Sequence, residues 1–319
     1  MYHLLAKRRP DIRLARNRSR NVEFVTVVLI LLFTVVSRIP RIGGFAMNWD
    51  EVWSIWQTFG SVADIVRWTP QDWSPLYFLF VGFWQQIAGI QPLILRYSSL
   101  LAYITGVAFM YRAARRLGGR RSALPITAVY AALGYGIFLS LFVRSYAFLL
   151  AASPLILWLS IRYFDRPSLR RGLVVAACGI LMWFLHYTAI FVFLLLGLLT
   201  LLKYGRAIWR WWLPGGIIAA TGIATVLAKP DVFASRTAYN ATLTLPPLLE
   251  AVTQLYSRFA YPLFPLWIAL FVMATVAIVL KRRLRRDALA LLLWFTSPVA
   301  IYLFNTRLGL FQDIRYLWW

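Results

Sequence analysis

The chain has 319 residues, of which 61% are hydrophobic and only 14% charged. Soluble domains are roughly half apolar and a quarter charged, so the composition excludes an ordinary soluble fold. The net charge of +23 could suit a nucleic-acid binder, but the Lys and Arg residues sit in short segments between apolar runs, which is how membrane proteins mark their loops.

In chain order, a basic arm over residues 1–21 comes first, read as cytoplasmic. Apolar stretches then predict transmembrane helices at roughly 22–40, 93–111, 123–143, 146–162, 172–187, 189–202, 212–228, 263–280 and 288–304. Residues 22–319 form one membrane domain by this reading, with a first outer loop at about 41–92. The fold class is all-α and polytopic, with about nine spans and interfacial helices on the outer loop. The stretch 22–36 follows a long basic arm and lacks a small-residue cleavage site, so it is not read as a signal peptide. Cys178 is the single cysteine and lies in an apolar run, which leaves no disulfide and no cysteine metal cage.

Positive loops set the orientation. With the N-terminus inside, the basic segments Lys7–Arg20, Arg112–Arg121, Arg162–Arg171, Lys203–Arg210 and Lys281–Arg286 all fall inside, carrying 24 of the 34 Lys and Arg residues. Seven of the 11 acids fall outside. The apolar stretch Pro75–Ile90 tests this scheme, because counting it as a span would invert every later loop. It is short and carries Gln85 and Gln86 near its end, so it reads as an interfacial or re-entrant helix. The segments Lys229–Tyr261 and Asn305–Trp319 are also assigned to the outside.

Four features could carry chemistry. Asp50 and Glu51 are adjacent acids just beyond the first span, where partial dehydration and mutual repulsion disfavour them. Asp50 suits a general base on an acceptor hydroxyl; the plainer reading is a solvated pair that caps the next helix. Arg144 has almost wholly apolar flanks, and its guanidinium suits bidentate bonding to phosphate or, alternatively, snorkelling to headgroups. His186 and Tyr187 close the fifth span; a histidine hydrogen-bonded within the bundle is the plainer alternative to a ligand role. Arg315 and Tyr316 would place a second cation outside, or anchor the chain at the interface. All four features share the outer interface under the charge-derived orientation, which suggests one site for a lipid-linked anionic group.

At these residues the chain resembles the lipid-carrier-dependent glycosyltransferases of the C-type membrane fold, which include the protein O-mannosyltransferases and the aminoarabinose transferases of lipid A. The matching pieces, in family order, are Asp50-Glu51, Asp72-Trp73-Ser74-Pro75-Leu76-Tyr77, the basic run Arg112–Arg121, Val143-Arg144-Ser145-Tyr146-Ala147, His186-Tyr187-Thr188 and Arg315-Tyr316-Leu317. The resemblance covers about residues 45–319. It implies an inverting glycosyltransferase of the plasma membrane, mannosyltransferase-like, that takes its sugar from a polyprenyl phosphate. Asp50 would be the base or acceptor-orienting acid. Glu51, Asp72, Arg144, Tyr146, His186, Tyr187, Arg315 and Tyr316 would bind substrate, with Arg144 near the carrier phosphate. The acceptor, whether lipid, glycan or protein, is not specified, and nucleic acid is not a partner. No cofactor is required by the sequence; some relatives use a divalent metal, for which no ligand set is evident here. Three departures stand out. Phe142 occupies the position of a family glutamate, the family's histidine is Trp73 here or missing, and the chain stops where the family continues into more spans. A transporter or flippase-like protein for a lipid-linked anion, or a catalytically inactive relative, are the alternatives.

Overall fold

A computed structural model describes residues 12–69, 73–241, 246–260 and 264–280, together with residues 289, 292, 296–297 and 299–303. Among the described residues the regular structure is helical, with no strand. The helices are α1 (Ile12–Val36), α2 (Ile39–Ile42), α3 (Trp49–Trp56), α4 (Val62–Trp68), α5 (Pro75–Ala88), α6 (Pro92–Ala132), α7 (Gly134–Leu139), α8 (Tyr146–Asp165), α9 (Leu169–Leu185), α10 (Ala189–Tyr204), α11 (Trp212–Ala228), α12 (Pro230–Ala241), α13 (Leu248–Ala260) and α14 (Phe264–Leu280).

Four stretches are long and apolar enough to cross a bilayer: Arg20–Ile42, Pro92–Arg120, Tyr146–Asp165 and Ala189–Ala228. Along α1 the side chains of Phe24, Val25, Leu29, Leu32 and Phe33 point outward, as a lipid-facing helix requires. The protein is an all-α membrane protein. Helices α9 and α14, with 17 residues each, reach only about 26 Å and fall just short of a full crossing by length. Most of the expected span 288–304 lies outside the described residues.

Pairwise contacts give the direction of each helix. Tyr103 and Tyr130 are both in α6, and a straight helix would hold them about 40 Å apart. Their rings instead stack at 5.6 Å. The chain therefore doubles back inside α6, at Gly119, whose φ of 74° suits a residue without Cβ. The 3-10 turn Gly205–Trp211 makes a second reversal, because Gly172 faces Leu213 while Trp183 Nε1 donates to Thr225 Oγ1 at 3.1 Å. These contacts make α9 and α11 parallel, so α10 runs against both and Ala189–Ala228 is a hairpin.

The bundle consequently has two distinct ends. One gathers Glu23, Arg115, Arg116, Arg120 and Asp165. The other gathers α2 to α5, the start of α6, the turn after α7 and the α9–α10 junction. Helix α5 does not cross between them. Near its start Ser74 Oγ donates to Trp183 O at the end of α9, and near its finish Trp84 Nε1 donates to Ile94 O at the start of α6.

The structure adds to one sequence expectation and corrects another. Residues 12–21 of the basic arm are helical and continuous with the first span, since neither Gly nor Pro interrupts Ile12–Val36. The expected span 123–143 is broken at Leu133, whose ψ of 124° ends the helix before α7 begins. A break inside a membrane strands carbonyls that water cannot reach. Tyr103 donates to Tyr130 O at 2.5 Å, and Arg38 Nη2 donates to Ala131 O at 2.9 Å. Arg38 is fully buried, and its Nε also donates to Ser140 Oγ at the end of α7. Pro154 creates a similar deficit in α8 by removing the amide that would bond Leu150 O, and the Tyr130 hydroxyl donates there at 2.7 Å.

Helix α6 meets α8 closely at Gly106, where an added Cβ would lie 2.8 Å from Ala151 Cα. The obstacle is backbone and cannot rotate away. Gly106→Val should lower stability by about 1–3 kcal/mol, measured by thermal unfolding in detergent; an unchanged melting curve would contradict this close approach.

Candidate functional site

The short helix α3 begins with a capping box. Asn48 Oδ1 accepts from the Glu51 amide, and Glu51 Oε2 accepts from the Asn48 amide. This cap fixes where Asp50 and Glu51 point. Glu51 is fully buried, and Arg96, from the start of α6, meets it fork to fork at 2.9 and 2.8 Å. Arg96 is equally buried and also donates to the carbonyls of Ile42, Phe45 and Ala46. Glu51 Oε1 additionally accepts from the Val143 amide at 3.1 Å.

That last bond sets the site. It ties Glu51 to Val143, and the next residue on each side, Asp50 and Arg144, then pair with each other at 2.9 Å. The Arg144 side chain is nearly buried at 8% exposure, while Asp50 keeps 33% and so reaches the polar surroundings. Arg144 Nη1 donates to Ser54 Oγ at 3.2 Å, one turn after Asp50, and the guanidinium lies 4.6 Å over the Trp73 ring. Arg144 Nε is buried without a hydrogen-bond partner among the described residues, as is the Tyr77 hydroxyl on α5. Burial pushes that hydroxyl well above the usual phenol range, partly countered by the nearby Arg144 charge. Unpartnered buried polar atoms cost about 1–3 kcal/mol each, so their presence beside an ion pair marks a place suited to a ligand.

The α9–α10 junction closes another side. Tyr146 lies two residues after Arg144, and its ring centroid is 5.7 Å from that of His186. The Thr188 amide donates to His186 Nδ1 at 3.2 Å, and an amide can only donate, so the ring proton sits on Nε2. The Tyr187 hydroxyl lies 3.5 Å from Trp73 O.

Six of the residues expected from sequence thus meet at one end of the bundle: Asp50, Glu51, Arg144, Tyr146, His186 and Tyr187. Asp72, Arg315 and Tyr316 lie outside the described residues. Glu51 was expected to line the cavity, but Arg96, Val143 and Asn48 occupy its four acceptor directions and leave it facing inward. Arg96 and Ser54 were not singled out by sequence. The signal for Arg96 was present, since it follows Leu93-Ile94-Leu95 and an arginine in an apolar run needs a partner. Among the described residues no group of three or more His, Cys, Asp or Glu gathers into a metal-ligand set, and Asp72 lies outside them.

No family model matches the chain, and no curated protein matches it in sequence.

Glu51→Gln should destabilise the protein by about 3–5 kcal/mol, because it leaves Arg96 buried without a counter-charge. Replacing both Glu51 and Arg96 by leucine should recover much of that loss. Thermal unfolding of the purified variants checks both; a single variant as stable as the parent would mean that the pair orders nothing.

Proposed function

We propose that the protein is a membrane glycosyltransferase that moves a sugar from a polyprenyl-phosphate carrier to an acceptor at the outer face of the cell membrane, inverting the anomeric centre. The supporting observation is the Asp50–Arg144 pair, a partly exposed carboxylate held against a nearly buried guanidinium. The order of the motifs around it supports the same reading. In this scheme the N-terminus is cytoplasmic, and the end of the bundle that carries Asp50 faces outward.

The chemistry follows from the two charges. Asp50 takes the proton from an acceptor hydroxyl. The acceptor oxygen attacks the anomeric carbon, and the bond from that carbon to the phosphate oxygen breaks. Negative charge then builds on the leaving phosphate, where a fixed guanidinium in a low-dielectric cleft stabilises it. Without donor, Arg144 neutralises Asp50. A donor phosphate competes for Arg144, frees the carboxylate and so makes the base available only when substrate is bound. Ser54 and Trp73 hold the arginine in place, and Glu51 acts as a positioning residue through Val143.

A catalytically silent relative that still holds the carrier lipid is the second reading. Phe142 favours it, since its ring packs on Phe138 at 4.3 Å and on Phe45 at 6.4 Å, an apolar contact where the family carries a glutamate.

Asp50→Asn should cut transfer from a labelled polyprenyl-phosphate sugar by about 10²–10⁴-fold at unchanged protein level. Transfer at the parental rate would remove Asp50 as base, and absence of transfer in the parent protein would favour the silent relative. Arg144→Ala should raise KM for the donor far more than KM for the acceptor; equal effects on both would exclude a phosphate role for Arg144.

A further inference from the structure

The opposite end of the bundle carries a second, unassigned site. Arg116 from α6, Arg162 from the last turn of α8, Arg166 just beyond it and Arg171 from the first turn of α9 line one cavity of about 260 Å³. That is slightly below the roughly 300–1,000 Å³ of ordinary small-ligand pockets, a size for a headgroup rather than a whole lipid.

Basic residues that only set membrane orientation need charge on the correct side and nothing more. Here they converge, and most are held. Arg116 Nε bonds Asp165 Oδ2 at 2.8 Å. The Arg162 guanidinium lies 4.6 Å over the Trp158 ring. Arg171 Nη1 donates to Arg166 O at 2.6 Å. The second Asp165 oxygen accepts from the Tyr204 hydroxyl at 3.1 Å, so this carboxylate pairs with Arg116 alone among the four lining arginines and is itself shared. The first turn of α9 contains no acid, and although Ser168 Oγ caps the Arg171 amide, the helix N-terminus adds to the positive field. Like charges brought this close repel, and an anion between them removes the repulsion. Guanidinium forks suit phosphate oxygens in particular.

The surroundings indicate how that phosphate is carried. Leu117, Leu169 and Leu173 are exposed beside the arginines. Trp209 and Trp212 are exposed at the same end, in and after the 3-10 turn, whose Arg210 donates to Phe164 O. Exposed leucines and tryptophans at helix ends mark the headgroup layer of a bilayer. We propose that this pocket binds the phosphate of an anionic phospholipid, on the membrane face opposite the Asp50–Arg144 site. Such a lipid stabilises the folded bundle by mass action and ties α6, α8 and α9 together at the end where few acids balance the arginines.

The test uses the full chain in detergent, with phosphatidylglycerol, phosphatidylcholine or inorganic phosphate added separately. Phosphatidylglycerol should raise the unfolding temperature in a saturable way, and the other two should not. The triple variant R162K/R166K/R171K keeps every charge, and hence the membrane orientation, but loses the planar forks. Its affinity for phosphatidylglycerol, measured by native mass spectrometry, should fall about tenfold or more. The milder R166K alone provides the same comparison if the triple variant does not fold. Equal stabilisation by phosphatidylcholine, an equal effect of inorganic phosphate, or full affinity in the lysine variants would overturn the proposal.

Discussion

Glu51 offers four hydrogen-bond acceptor directions, and three separate parts of the chain fill them: two by Arg96, one by Val143 and one by Asn48. A fully buried carboxylate is tolerable only when it is satisfied in this way. The consequence is geometric. With Glu51 pinned to Val143, the neighbours Asp50 and Arg144 have little freedom except to face each other. The buried pair therefore works as the frame that sets the partly exposed Asp50 against the nearly buried Arg144 beside it. The two adjacent acids thus divide: Glu51 is fully buried and structural, and Asp50 is partly exposed and paired with Arg144.

The same economy of polar groups runs through the rest of the bundle. Breaking a helix in a membrane leaves carbonyls that cannot turn to water. At the break before α7 those carbonyls are taken by Tyr103 and Arg38, and at Pro154 the deficit in α8 is met by Tyr130. Arg38, Tyr103 and Tyr130 are the residues that allow the chain to turn within its apolar core. The break matters for the site, because the short segment after it carries Val143 and Arg144 to the place where α3 waits.

Charge is divided between the two ends of the molecule. At the site end two of the three buried arginines face a carboxylate, Arg96 against Glu51 and Arg144 against Asp50, while Arg38 is held by Ser140 and the carbonyls of Thr34 and Ala131. At the other end arginines outnumber the acids that face them, although Glu23 engages Arg115 and Arg120, and Asp165 engages Arg116. The two proposals follow this division: group transfer is assigned to the end where the exposed arginine surplus is absent, and a membrane anion to the end where arginines outnumber acids.

The membrane class was legible in the sequence, because hydrophobicity is a property of each residue and adds along a run regardless of folding. Asp50 and Glu51 as adjacent acids, and Arg144 with its apolar flanks, could also be picked out from sequence, and the structure brings them together at one end of the bundle. The reading of Pro75–Ile90 as a helix that stays at one surface also needed only length and two glutamines. Partner choice was not legible. Nothing local distinguishes Asp50 from Glu51, yet one is buried against Arg96 and the other reaches Arg144 across 94 positions of chain. Nor did the apolar run 123–143 announce its break, because a run of hydrophobic residues reads the same whether the helix is whole or interrupted. Those outcomes depend on which groups the fold brings within hydrogen-bond distance, and in an apolar medium that choice is made by the need to satisfy every buried donor and acceptor at once.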